Sequence, residues 1–226
     1  MAISHIFFDI DDTLFPSTLF AKRARENAVS ALIKLGVKKD KKILYNMLMD
    51  IVREKGSNYP GHFDDLCIKL QLTPIAKYIA GAVGAYHETK LSIKPFFSVR
   101  TILKNLKKNK YKLYIATNGL AIKQWDKLIL MGLHDYFEDV FVSEDLGVEK
   151  SSEFFKLVTL KLNVKAKDCL MVGDKEEADI LSAKEFGMHT VKLDNYHSSK
   201  SKINLKTAAD SLIFNMVELP VIIKKL

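Results

Sequence analysis

The feature that most constrains this chain is an interrupted rhythm. A short apolar run, residues 6–10 (IFFDI), reads as a β-strand ending in acid, and the pattern then turns wholly helical until about residue 90. Phe20, Ala24, Ala28, Ala31, Leu32 and Leu35 recur at helical spacing, with Gly36 as a stop. Ile43, Leu44, Met47, Leu48, Ile51 and Val52 make a second amphipathic face. A turn-like stretch at 56–61 holds Pro60-Gly61, and a short helix follows over 63–70. Thr73 is expected to cap a further helix, with Pro74 at its first position and Ile75, Tyr78, Ile79, Ala82, Val83 and Tyr86 on one side.

From Pro95 onward helices and strands alternate. Strands are expected over 113–116, 140–142, 170–172, 190–193 and 212–214, and helices over 99–106, 123–131, 154–162 and 178–186. That alternation implies an α/β fold: a doubly wound, mostly parallel, Rossmann-like sheet with helices on both faces. One strand alone buries nothing, so the first strand must join this sheet. The expected organisation is an α/β core of residues 1–16 and 93–226, with residues 17–92 inserted as a helical domain. The size agrees: 226 residues exceed one average domain and fall short of two.

Composition excludes several classes. With 48% hydrophobic and 27% charged residues the chain has material for a core and is neither disordered nor collagen-like. No apolar run reaches the roughly 20 residues of a membrane span, and the N-terminus shows no signal-peptide pattern. Cys67 and Cys169 have no CxxC or Cys/His spacing, so reduced thiols in a cytoplasmic protein are expected. The net charge of +8 admits nucleic acid, headgroups or small anions as partners. The basic residues are mostly lysines spread over several helices, with no Arg-rich block, so no nucleic-acid and no membrane partner is expected.

Four clusters follow the ends of expected strands, where open α/β sheets place their ligands. Asp9, Asp11 and Asp12 with Thr13 come directly after IFF. Two carboxylates two residues apart can divide labour, one staying ionised as nucleophile or metal ligand and the other carrying a proton. An acidic turn alone is equally a helix cap. Thr117-Asn118-Gly119 offers a hydroxyl, an amide and a backbone N–H to a phosphate or oxyanion. These are also the residues a helix N-terminus prefers. Lys150 precedes Ser151 and Ser152, which read as caps of the next helix. Gly173-Asp174, with Asp179 five residues on, offers hard oxygen ligands for Mg2+.

In this order the clusters resemble the motifs of the haloacid dehalogenase (HAD) superfamily: DxDxT as Asp9, Asp11 and Thr13, TNG as Thr117–Gly119, the motif lysine as Lys150, and GDxxxxD as Gly173, Asp174 and Asp179. The layout is similar to its subfamily I phosphatases, and the inserted helices look like their C1 cap. Ser151 stands where many relatives have Pro, and Ala178 where many have Asn. The resemblance implies a Mg2+-dependent phosphatase of small phosphorylated metabolites (sugar phosphate, triose phosphate or phosphoglycolate). In that scheme Asp9 is the nucleophile and Asp11 the general acid–base, with Lys150 as the charge-neutralising lysine. Thr13, Thr117, Asn118 and Gly119 surround the phosphoryl group. The metal falls to an Asp9 carboxylate oxygen, the Asp11 main-chain carbonyl and Asp174, with Asp179 behind them. Asp11 favours ester hydrolysis over dehalogenation, because a halide leaves without a proton. A phosphomutase shares every motif, and a receiver domain, a nucleic-acid binder and an inactive binding module are the other classes weighed. Substrate contacts are expected among Arg25, His62 and Lys123, with Tyr59, His87 and Trp125 as further candidates. A monomer or homodimer is expected.

Overall fold

A computed structural model describes residues 3–194 and 206–226. In chain order the elements begin with β1 (His5–Phe8) and the helices α1 (Ser17–Lys34), α2 (Lys41–Lys55), α3 (His62–Lys69) and α4 (Ile75–Lys90). They continue with α5 (Val99–Lys108), β2 (Lys112–Thr117), α6 (Ala121–Leu130), β3 (Asp139–Val142), α7 (Ser143–Leu146) and α8 (Ser152–Leu162). The last are β4 (Cys169–Gly173), α9 (Ser182–Glu185), β5 (His189–Leu193), β6 (Ser211–Ile213) and α10 (Leu219–Ile223). The chain divides into two compact units, one of residues 1–18 and 94–226 and the other of residues 19–93.

In the first unit the strands form one sheet in the order β3-β2-β1-β4-β5-β6, and every pairing among the described residues is parallel. Parallel sheets are buried on both faces, so their strands read as unbroken apolar runs. On one face Phe7, Tyr114, Phe141 and Met171 pack with Phe154, Phe155 and Val158 of α8. The alternate residues, Ile6, Phe8, Ile115 and Val172, point to the opposite face and are equally buried. Strand order reverses at β1, with β2 on one side and β4 on the other. The crevice of an open sheet forms at such a switch point, outside the carboxyl ends of the strands. Asp9 follows β1 there and Asp174 follows β4, with Phe8 paired to Val172 in the ladder.

The second unit is helical. Ala28, Leu32, Leu44, Leu48, Ile51, Phe63, Leu66, Cys67 and Ala82 share one core. Asp40 caps α2, accepting from the Lys42 and Ile43 amides at 2.8 and 3.1 Å. Gly36, at φ +109°, follows α1. Three local expectations differ from the structure. Thr73 is not the cap of α4, because Pro74 itself holds the cap position at φ −74° and ψ 130°. Proline has no N–H to satisfy, and its fixed φ suits that entry. Ile43 was placed on the buried face of α2 but is half exposed. The final strand ends at Ile213, leaving Phe214 outside it and exposed. Among the described residues no helix is long and apolar enough to cross a membrane.

Candidate active site

The chain leaves β1 at Asp9, which is 2% exposed and whose amide continues the ladder to the Val172 carbonyl at 3.0 Å. Its Oδ1 accepts from Lys150 Nζ at 2.6 Å. The Lys150 ammonium also contacts Asp179 Oδ1. The other Asp179 oxygen accepts from the Lys175 amide at 3.0 Å. One oxygen from each of Asp9, Asp174 and Asp179 lies within 4.8 Å of the others. Asp9 Oδ2 and Asp174 Oδ1 are buried with no hydrogen-bond partner. Burial pushes the Asp9 carboxyl up to about 6 despite the opposing pull of Lys150. Burial, and then Asp9 and Asp179, push Asp174 up to about 8. Burial works against the Lys150 charge, yet Asp179 and Asp9 outweigh it and hold the ammonium above its usual range. Asp9 and Asp179 thus share the Lys150 cation, the half-buried Asp174 adds a third carboxylate beside them, and the arrangement has capacity for another positive charge.

The local backbone explains how these groups converge. Glu176–Leu181 is a π-helical turn, with the Asp179 and Ile180 amides both donating to the Lys175 carbonyl, at 3.0 and 3.3 Å. This wider turn, in place of the expected ordinary helix start, carries Asp179 inward to full burial. A Cβ at Gly173 would overlap the Asp179 carboxylate, so the glycine of the last motif is demanded by close approach. Ser151 caps α8 and accepts from the Phe154 amide at 3.3 Å. Asn118 Oδ1 accepts from the Lys150 amide at 2.7 Å, joining the second and third motifs.

The remaining candidates take separate places. Thr13 is fully buried with its hydroxyl unpartnered. Thr117 is buried and makes only a long 3.5 Å contact to the Asn118 carbonyl. Gly119, at φ +126°, donates its amide to Ser143 Oγ at 2.9 Å, so it supplies the turn rather than a free donor. The Asp11 carboxylate contributes no oxygen to the acidic cluster and instead pairs with Lys127 of α6, at 2.7 Å from both oxygens. Lys123, the expected substrate contact, is half-buried on the same helix, and Lys127, one turn later, is a partner of Asp11 that the sequence reading lacks. The clue was present: Gln124, Leu128 and Met131 fall on one helical face, and a polar residue there points to a partner.

Asp12 is structural. It sits at φ +56°, a conformation Asp tolerates, and accepts from the Thr18 amide at 3.0 Å and from its hydroxyl at 2.5 Å. Asp12→Ala is expected to cost about 1–2 kcal/mol of stability by removing this cap at the start of α1. Urea unfolding monitored by circular dichroism measures it, and an unchanged midpoint contradicts it. In the helical unit, Arg25 is half-buried. His62 Nε2 lies 2.9 Å from the Gly56 carbonyl, with its ring edge-on to Tyr59. The Tyr59 hydroxyl donates to Asp65 at 3.3 Å, and His87 stands edge-on to Tyr86. Trp125 is 40% exposed on α6.

The buried acids and lysine at strand ends coincide with a match to the family model of haloacid dehalogenase-like hydrolases over residues 3–187. The chain belongs to that hydrolase family. It is 42% identical over 195 residues to a glyceraldehyde 3-phosphate phosphatase of Methanopyrus kandleri, covering 84% of each chain. A glyceraldehyde 3-phosphate phosphatase of Pyrococcus furiosus is 38% identical over 219 residues, 96% of this chain and 91% of that protein. The crystal structure of a HAD phosphatase from Thermococcus onnurineus has a TM-score of 0.65 at 24% identity, covering 98% of this chain and 97% of its own, and shares the fold.

Proposed function

We propose that this hydrolase cleaves the phosphate ester of a small metabolite, glyceraldehyde 3-phosphate foremost, through an aspartyl-phosphate intermediate. It is a phosphoric monoester hydrolase, and the triose phosphate comes from its Methanopyrus and Pyrococcus relatives. The observation that carries the reading is the pair of buried, unpartnered oxygens, Asp9 Oδ2 and Asp174 Oδ1, beside the Lys150 ammonium. Hard anionic oxygens without donors suit a small divalent cation. Asp9, Asp174 and the Asp11 main-chain carbonyl would hold Mg2+, with Asp179 anchoring Lys150 behind them. When bound, Mg2+ supplies the positive charge that lets a phosphoryl group approach carboxylates.

Asp9 attacks phosphorus, and the P–O bond to the substrate breaks. Asp11 gives a proton to the leaving oxygen, then takes one back from the water that attacks the aspartyl phosphate. Lys150 neutralises charge on the nucleophile and the phosphoryl oxygens, and the Thr117 hydroxyl and the Asn118 amide donate to them. The helical insertion is read as a cap that excludes water and selects the substrate, with Arg25 and His62 as candidate contacts. A cytoplasmic location is read from the cysteine usage alone, two residues with no paired spacing.

The test is phosphate release with Mg2+ over a panel of triose phosphates, sugar phosphates, phosphoglycolate and nucleotides. Glyceraldehyde 3-phosphate is expected to give the highest kcat/KM. An isomerised sugar phosphate without released phosphate would identify a mutase instead.

A further inference from the structure

The sequence motifs do not account for the treatment of Asp11. Its carboxylate is a quarter exposed, and a group so placed is ordinarily free to change rotamer in solvent. Here it is held. Lys127 Nζ donates to Asp11 Oδ1 and Oδ2 at 2.7 Å each and to Gln124 Oε1 at 3.0 Å. An ammonium has three donors, and all three are used. The Phe15 ring, itself buried, lies 5.8 Å from Nζ, and Phe15 pairs with Asp11 through an isolated β-bridge. Gln124 is 3% exposed, and its amide nitrogen donates to the Asn118 carbonyl at 2.6 Å while approaching Asp11 Oδ2 at 3.5 Å.

Most ion pairs at this exposure are incidental. This one differs in that one face of α6, through residues three apart, fastens both the acid of the first motif and the loop of the second. We propose that Lys127, braced by Gln124, is the positioning residue that holds the Asp11 carboxylate for proton transfer to the leaving oxygen. The proposal rests on the reading of Asp11 as acid–base in ester hydrolysis. In its proton-carrying state Asp11 bears the proton on one oxygen while the other accepts from Lys127; it gives that proton as the P–O bond breaks and regains one from the attacking water, while Lys127 keeps its own protons and fixes the geometry.

The test compares leaving groups. A triose leaves as a basic alkoxide that needs a proton, whereas p-nitrophenolate leaves without one. Lys127→Met is expected to lower kcat on glyceraldehyde 3-phosphate about 30-fold, within the range seen when a supporting partner is removed. On p-nitrophenyl phosphate the loss is expected to be no more than about threefold, with KM little moved on either ester. Lys127→Arg restores part of the loss, because a cation is returned to the same place. Gln124→Met, should Lys127→Met fail to fold, is expected to show the same selectivity with a smaller loss. Asp11→Asn is the reference, with a loss of roughly 10²–10⁴ on the triose ester and a much smaller one on the aryl ester. Equal losses on both esters for Lys127→Met, or none on the triose ester, overturn the role of Lys127 while Asp11→Asn stays selective. An unselective Asp11→Asn overturns the reading of Asp11 itself, and the role of Lys127 falls with it.

Discussion

Asp9→Asn is expected to reduce phosphate release from glyceraldehyde 3-phosphate by on the order of 10⁴-fold or more, the scale of removing a nucleophile from a group of residues that acts as a unit. The substitution is nearly isosteric, and it removes both the attacking oxygen and a formal charge. Lys150 keeps Asp179 as a partner, so the buried ammonium is not left alone. The fold should therefore survive, and thermal melting separates lost chemistry from lost structure. Turnover within tenfold of the unsubstituted enzyme, in protein that melts normally, would remove Asp9 from the role of nucleophile.

Stripping divalent ions with EDTA is expected to lower activity at least about 100-fold, the scale of losing one electrostatic contact to developing charge, with recovery on adding Mg2+. Stability carries an independent signature. The folded-state carboxyls of Asp9 and Asp174 are raised from 3.8 to about 6 and about 8, first by burial. The metal-free folded state then binds more protons than the unfolded chain. Its stability from these groups is fully present below the unfolded value of 3.8 and is lost as pH rises through about 6 for Asp9 and about 8 for Asp174. Metal binding requires the ionised carboxylates, so stabilisation by Mg2+ grows over the same interval. The rise in Tm on adding Mg2+ should be larger at about pH 8 than at about pH 5. Equal shifts at the two pH values would deny these carboxyls to the metal.

Much of this was legible before the structure. The alternation after Pro95 specified a parallel α/β sheet, because strands buried on both faces must be apolar throughout and their crossovers must be helical. The strand-end positions of Asp9, Thr117 and Asp174 followed from the same runs, and motif order pointed to the family. The errors were local. Thr73 and Pro74 compete for one cap position, and backbone geometry settled it for Pro74. Three neighbouring aspartates look alike in sequence, yet Asp9 enters a buried cluster, Asp11 pairs with α6 and Asp12 caps α1.

By itself, then, the sequence determined the sheet class, the helical character of the inserted segment, and which acids stand at strand ends, since each depends on local periodicity and chain order. The tertiary structure alone decided that Lys127 of α6 meets Asp11. It alone decided that Asp179 is turned inward by a π-helical turn onto Lys150, and that the Gly119 amide is already engaged by Ser143. Those outcomes depend on the rotation of one element about its axis against another, 24 to 116 residues away in the chain. No pattern confined to a single element encodes that rotation; it is set by packing across the sheet.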